Sequence, residues 1–538
     1  MKELDTLKRQ DFSNVLTTCD KARGDLKAVT LPSLKHQARD HCLPSHPFFL
    51  TFSSVDNLIY RTAVCFFLMF DLTETQNLKL SLPPVMANQP FSVFWNAPTD
   101  LCQIRYDMSL NLDSFGIIKN QNEALTGNNV TIFYYDQLGL YPFYDNSTAV
   151  NGGCPQNASL QNHCTKMIAD VKKMIPSDSF RGLSVIDWEN WRPQWVRNWD
   201  KKDIYRKQSQ ELVKVKNPHL TKDQIPKQAQ WEFDSAAQNF MTESLRLTRS
   251  LKPHGWWGYY LFPDCYNYDY ATNFENFTGQ CPDIEIQRNN ELLWLWQQSK
   301  ALYPSIYMEE ILKSSEQGRK FVRARIREAM RVADMPDSKN SLPVFVYSRP
   351  VYAYTFKQLT MMDLVHTIGE SAALGAHGVV LWGDIEFSRN TTNCMLIRDY
   401  IRSVLGPYVI NVTKAAELCS QFTCNKNGRC LRKNPETNSY LHLDGQIFQI
   451  QEHTDRHSIS FNPIRTLREQ IQKMGTEFQC QCYEGWMGER CNMPESTGTR
   501  PQLAICIYIA AFCGMLTWDS LLCGIFLFLW TLNFHSLS

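Results

Sequence analysis

Between Pro90 and Pro407, short apolar runs alternate with longer stretches whose apolar residues recur at helical spacing. Ser92–Asn96, Val130–Tyr135, Leu183–Asp187, Trp256–Phe262, Val344–Tyr347 and Gly378–Trp382 predict strands. Ser159–Met174, Lys202–Val215, Lys227–Leu251 and Lys320–Val332 predict helices. The repeated order of strand then helix implies an α/β barrel or a doubly wound sheet. Polar and aromatic residues collect at the carboxyl ends of the strands: Trp95 and Asn96, Tyr134 and Tyr135, Asp187 and Glu189, Tyr260, Tyr347 and Trp382. Active sites of barrels gather at that end, so the pattern argues for a barrel mouth.

The run Leu183–Asp187 leads into Trp188-Glu189-Asn190-Trp191-Arg192-Pro193. Side chains alternate with a period of two along an extended chain, so Asp187 and Glu189 point to the same side. Trp188, Trp191, Trp195, Trp199 and Arg192 are expected to surround them. Two like charges held near apolar rings cannot both ionise easily, and one should keep its proton above the ordinary carboxylate range. Such a pair can act as a general acid, and paired acids in aromatic sites are typical of sugar hydrolysis. A local alternative stays open, in which the acids cap the next helix or pair with Arg192.

The 538 residues suffice for two or three domains. A net charge of +1 gives no electrostatic argument for nucleic acid. Aromatic residues make up 12%, which suits a carbohydrate cleft. The 18 cysteines, many closely spaced, argue for an oxidising compartment. Glycosylation sequons at Asn129, Asn146, Asn157, Asn276, Asn390 and Asn411 agree with it. No metal or cofactor is suggested, since His163, His254, His366 and His377 lie in unrelated contexts.

Four regions follow from the change of texture. Residues 1–83 are an amino-terminal extension whose apolar run Ala63–Phe70 reads as a signal segment or an uncleaved anchor. Residues 84–415 carry the barrel pattern, and 416–492 carry Cys419, Cys424, Cys430, Cys480, Cys482 and Cys491. The ending from Cys480 to Cys491 has the C-x-C-x8-C spacing of an EGF-like module, and Asn427-Gly428-Arg429-Cys430 fits its opening. Leu431 to Gln479 is then a long insertion. A zinc site is the alternative, but the nearby histidines lack ligand spacing. In residues 493–538, small residues Ser496, Thr497 and Gly498 precede the apolar runs Leu503–Trp518 and Leu521–Leu532. That is the pattern of a GPI-anchor signal. A retained transmembrane helix is the rival, although Asp519 would be costly in a permanent span.

The stretch Ile186-Asp187-Trp188-Glu189-Asn190-Trp191-Arg192-Pro193 closely resembles the signature of animal hyaluronidases, glycoside hydrolase family 56. So do Trp95-Asn96-Ala97, Phe133-Tyr134, Asn151-Gly152-Gly153, Trp257-Gly258-Tyr259-Tyr260, Pro263-Asp264-Cys265-Tyr266-Asn267-Tyr268, Tyr303-Pro304-Ser305-Ile306-Tyr307 and Gly369-Glu370-Ser371-Ala372-Ala373. The resemblance runs from about Pro84 to Cys491, and the tail is similar in character to the GPI-anchored, sperm-surface branch. It implies an α/β fold: a distorted TIM-like (β/α) barrel with a C-terminal disulfide-rich EGF-like module. It further implies an endo-acting β-N-acetylhexosaminidase that hydrolyses β-1,4 bonds in hyaluronan without a cofactor. The implied mechanism is retaining, with the substrate's own acetamido oxygen as nucleophile. Chondroitin or its sulfates is the second substrate class, and a catalytically weak hyaluronan-binding or adhesion protein is the rival function.

By matching position, the resemblance implies Glu189 as general acid and base and Asp187 as acceptor for the acetamido N–H. Tyr260 would bond the acetamido carbonyl, and Trp382 would wall the pocket for its methyl. Tyr134, Tyr307 and Tyr347 would line the cleft, with Tyr266 nearby. Arg192 and Arg325 would meet glucuronate carboxylates or hold the acids in place. The resemblance also implies the disulfides Cys102–Cys394, Cys265–Cys281, Cys419–Cys430, Cys424–Cys480 and Cys482–Cys491. Cys154 and Cys164 depart from its pattern; an extra local bridge is expected, with two unrelated thiols as the alternative, because spacing alone does not set pairing.

Overall fold

The computed structural model describes residues 78–445, 448–453, 456–461 and 464–495. The run Ala63–Phe70 and the tail from Ser496 onward lie outside them. Strands β1 (Ser92–Asn96), β2 (Ile118–Lys119), β3 (Val130–Tyr134), β4 (Phe143–Asp145), β5 (Thr148–Val150), β6 (Leu183–Asp187), β7 (Trp256–Tyr259), β8 (Phe345–Ser348) and β9 (Gly378–Trp382) follow in order. They form two parallel sheets, β2-β1-β9-β8 and β3-β6-β7, plus the antiparallel hairpin β4-β5.

The segment Leu302–Ser305 joins the two sheets. It makes parallel bridges from Tyr303 to Tyr260 on one side, and from Leu302 to Val344 and Ser305 to Tyr347 on the other. Pro304 within it has no N–H to give a ladder. No strand pairing links β2 to β3 among the described residues. Instead Asn120, only 2% exposed, lies between them. Its amide donates to Val130 O at 2.6 Å and Ala124 O at 2.8 Å, and its oxygen accepts from Asn129 N at 3.0 Å and Val130 N at 3.1 Å. One side chain thus does the hydrogen bonding that a strand ladder would otherwise do.

Alternation separates two apolar layers. Phe94, Val130, Ile132, Leu183, Val185, Tyr303, Phe345, Tyr347 and Val380 pack together inside the strands. Their neighbours Val93, Trp95, Phe133, Ile186, Trp257, Val346, Val379 and Leu381 pack outward, under the helices. Gly258 faces the inside, where a Cβ would lie 2.2 Å from Ala301 O and 3.0 Å from the Tyr303 ring. A side chain there would displace Tyr303 from the interior.

The outer layer includes α1 (Leu160–Met174), α2 (Asp203–Lys216), α3 (Gln224–Leu251) and α4 (Glu316–Ala333). The last two start earlier than their apolar pattern predicts. Pro226 falls in the first turn of α3, where its missing N–H has no intrahelical partner to lose. Ser315 caps α4 by accepting from Gly318 N at 3.0 Å. Helix α5 (Gly406–Thr423) runs unbroken past residue 415, where the texture of the sequence places a domain boundary.

In the cysteine-rich part, Gly428–Arg432 pairs antiparallel with Phe478–Cys482. The insertion between them holds a hairpin, Phe448–His453 with Arg456–Phe461, and a helix, Ile464–Glu477. This part covers the amino ends of the barrel strands, away from the mouth. Arg429 donates to Pro90 O and Ala376 O, each at 2.6 Å, just before β1 and β9 begin. Ser81, within the amino-terminal extension, exchanges backbone bonds with Cys482 and Glu484. The fully buried Glu370 accepts from Arg323 Nε at 2.6 Å and from both terminal nitrogens of Arg432 at 3.0 Å. The buried charge is therefore matched by one arginine from the barrel and one from the module.

Disulfides join Cys102–Cys394, Cys265–Cys281, Cys419–Cys430, Cys424–Cys480 and Cys482–Cys491. The expected Cys154–Cys164 bridge is absent, and both side chains are buried thiols. The Cys154 sulfur is directed instead towards Ser209 Oγ at 3.6 Å and Tyr144 Oη at 3.7 Å. Of the sequon asparagines, Asn146, Asn157, Asn276 and Asn390 are exposed, while Asn129 and Asn411 are half-buried.

Candidate active site

The inward alternation continues past the strand ends and builds the mouth. Asn96, Tyr134, Asp187, Tyr260, Ser305 and Tyr307, Tyr347, and Trp382 follow two by two from the interior positions of their strands. Trp382 Nε1 donates to Tyr134 Oη at 3.0 Å. Tyr307 stacks on Trp382 with ring centroids 6.0 Å apart, and Tyr260 meets Tyr347 edge-on at 5.1 Å. Tyr260 Oη donates to Ser305 Oγ at 3.3 Å, and Tyr347 Oη to Asn96 Oδ1 at 3.4 Å. Burial, first, and then the Glu189 charge push the Tyr260 phenol up, so it stays a neutral donor. Burial likewise raises Tyr134, to about 12.

Sequence alternation also extends to two residues not singled out beforehand. Arg349 is two beyond Tyr347 and Asp384 two beyond Trp382. They form an ion pair at 3.1 Å, with the guanidinium 5.1 Å from the Trp382 ring centre. The period of two that marked Tyr347 and Trp382 could have found both.

Asp187 ends β6 half-buried, while Glu189 lies just beyond it with an exposed side chain. Burial, then the Glu189 charge, raises Asp187 to about 8; Arg192 opposes the shift, and a hydrogen bond to Glu189 adds to it. Asp187 therefore keeps its proton up to near neutrality. Asp187 Oδ1 is buried without a partner among the described residues. Arg192 pairs with Glu189 Oε2 at 3.4 Å and donates to Glu189 O at 3.2 Å.

The tryptophans are arranged differently from the expectation. Trp188 and Trp191 are buried behind the acids and stack on Tyr141 at 4.8 and 5.3 Å. Trp195 packs on Phe233, and Trp199 meets Tyr266 at 5.4 Å. The ring paired across from Asp187 is Tyr134, and Trp382 follows through its bond to that tyrosine. Tyr266 stands apart from them, 42% exposed, with Arg197 5.4 Å from its centre. Arg325 does not line the cleft. It is 4% exposed and binds Asn267 Oδ1, Ser305 O and Asp264 Oδ1, because a buried carboxylate at Asp264 demands a cation. Its bond to the Ser305 carbonyl supports the floor under Tyr260.

The sequence profile of the hyaluronidase family matches residues 80–495. The chain belongs to the hyaluronidase family. It is 48% identical to a hyaluronidase of Crotalus adamanteus over 412 residues, covering 76% of this chain and 91% of that one. It is 47% identical to hyaluronidase-1 of Bitis arietans over 412 residues, with the same coverage of 76% and 91%. Among solved structures, bee venom hyaluronidase superposes with a TM-score of 0.54 at 31% identity, covering 60% of this chain and 99% of that chain. Its complex with a hyaluronic acid tetramer gives a TM-score of 0.55 at 30% identity, covering 59% and 98%. The hyaluronidase match spans both the barrel and the cysteine-rich module, including α5, which runs between them.

Proposed function

We propose that the protein hydrolyses the β-1,4 bond between N-acetylglucosamine and glucuronate in hyaluronan, from within the chain, with retention. The observation that carries this reading is the acid pair: two carboxyls from one strand end, with Asp187 protonated up to near neutrality and its Oδ1 buried and unpartnered among the described residues. Acids on the same side of the mouth cannot flank a glycosidic bond as acid and opposite nucleophile. The substrate's acetamido oxygen fills that role. Its N–H donates to Asp187 Oδ1, which favours the Asp187 anion and lets the proton pass to Glu189. Glu189 then protonates the leaving oxygen, and afterwards takes a proton from the incoming water. Tyr260 bonds the acetamido carbonyl, and Tyr134, Tyr307, Tyr347 and Trp382 form the wall around the sugar. Arg192 holds Glu189, and Tyr266 meets a more distant sugar.

Product analysis on hyaluronan and on chondroitin tests the reading. Even-numbered hyaluronan oligosaccharides ending in N-acetylglucosamine support it, and so does the loss of cleavage when the acetyl groups are removed. Cleavage of de-acetylated chains at the normal rate would remove substrate assistance. Chondroitin is the second substrate of this reading.

The five disulfides among the described residues support passage through an oxidising compartment. Among the described residues no helix is long and apolar enough to cross a membrane. Attachment through a GPI anchor at the tail is tested by release with a phosphatidylinositol-specific phospholipase.

A further inference from the structure

We propose that Lys202 is a positioning residue for the reaction, holding the backbone of Glu189 in place by gripping its carbonyl. The inference rests on the reading of Glu189 as the proton donor. Glu189 needs such a device because it lies beyond the last paired residue of β6, where Asp187 faces Tyr134. No ladder bond fixes its peptide, and its side chain is exposed.

Lys202 ends the short turn Asp200–Lys202 that leads into α2. Its ammonium donates to Glu189 O and, at 3.3 Å, to Asn190 O. Arg192 Nη1 donates to the same Glu189 carbonyl at 3.2 Å. Two cations therefore converge on one peptide oxygen, the one belonging to the acid. The next turn is locked separately. Fully buried Asn198 accepts from Arg192 N at 2.8 Å and donates to Arg192 O at 2.9 Å and Gln194 O at 3.1 Å. Asn198 fixes Arg192, while Lys202 fixes Glu189 and Asn190.

A lysine kept only for solubility would hold its ammonium in water. Here burial, then Arg192, lowers Lys202 to about 8, with Glu189 opposing the shift. Arg192 and Glu189 are the charged groups that act on it, both on the loop it holds. Of the acids on its own segment, Asp200 is exposed and Asp203 is paired with Arg206 and Lys207. The cost of drawing the ammonium inward is offset by the carbonyl bonds.

The test uses Lys202→Met, Lys202→Gln and Lys202→Arg in the full chain, beside Glu189→Gln, with kcat, KM and pH profiles on hyaluronan. A small displacement of a reacting group costs one to two orders of magnitude in rate, so Lys202→Met should lower kcat by at least about tenfold. KM should stay within about threefold, because binding groups are untouched. Lys202→Arg should recover part of the loss. In the methionine variant the alkaline limb of kcat should move to higher pH, because the acid pair loses a cation that favours its anion. A packing role alone would lower the melting temperature without moving that limb. Should the methionine variant not fold, Lys202→Gln carries the same expectation. Normal kcat and an unmoved profile in a folded variant, beside an inactive Glu189→Gln, would overturn the proposal. An active Glu189→Gln would instead remove the reading beneath it.

Discussion

Trp382 donates its indole N–H to the Tyr134 hydroxyl at 3.0 Å, and the bond crosses from one sheet to the other over the mouth. It holds the ring that walls the acetamido pocket of the proposed complex. Tyr134→Phe keeps the ring and removes the acceptor. A typical hydrogen bond contributes about 1 kcal/mol net, so KM for hyaluronan should rise about fivefold. Steady-state kinetics checks this, with kcat expected to change less. An equal fall in kcat at constant KM would place Tyr134 in transition-state contacts instead.

Glu189→Gln removes the proton donor while conserving shape. General acid catalysis typically contributes about 10²- to 10⁴-fold, so kcat should fall by at least that lower figure. Binding of hyaluronan oligosaccharides, measured by calorimetry, should change little. Near-normal turnover would sink the assignment of Glu189.

The raised Asp187 makes stability depend on pH with a definite sign. An unfolded aspartate titrates near about 3.9. Below that, folded and unfolded states both hold the proton, and the contribution to stability is fully present. Between there and the folded value of about 8, only the folded state keeps the proton, so stability falls as pH rises. Asp187→Asn abolishes that fall. Its melting temperature should exceed the wild-type value by a few degrees at pH 8 and converge with it towards pH 4. Parallel melting curves across this range would show that Asp187 titrates normally. The wild-type kcat/KM should decline as pH passes through about 8, when Asp187 loses the proton the reaction uses.

Asn120→Ala tests the gap between β2 and β3. It strands Val130 N and O and Asn129 N, which Asn120 satisfies. Unsatisfied buried groups cost about 1–3 kcal/mol each when water cannot reach them, and partial relaxation brings the sum to about 2–4 kcal/mol. Denaturant unfolding should show this loss, with KM unchanged if the mouth keeps its shape.

Much of this arrangement was legible because parallel strands give short, sharply bounded apolar runs. Ser92–Asn96, Leu183–Asp187 and Gly378–Trp382 coincide with β1, β6 and β9. Leu302–Ser305 escaped notice because Pro304 interrupts it and it makes bridges rather than a ladder. The tryptophans misled through proximity in sequence. Trp188 sits between two acids, yet a period of two sends it to the opposite face, onto Tyr141. Arg325 has the charge to meet a carboxylate, and the carboxylate it meets is Asp264, which no local pattern could reveal. Cys154 and Cys164 lie ten residues apart, but Cys154 turns towards Ser209 on α2.

Glu370 lies on the barrel side of a boundary that α5 does not respect, and one of its two arginines, Arg432, comes from the module. Cutting the chain near residue 415 would sever that helix and leave a buried carboxylate with half its compensation. In this chain the module therefore completes the charge balance of the barrel, and removing it should lower stability. The shortest active form should reach to the last bridged cysteine, Cys491. Cysteine pairing at the far face and charge balance inside the barrel thereby become one folding problem, because the bridged strands of the module carry Arg432 to Glu370.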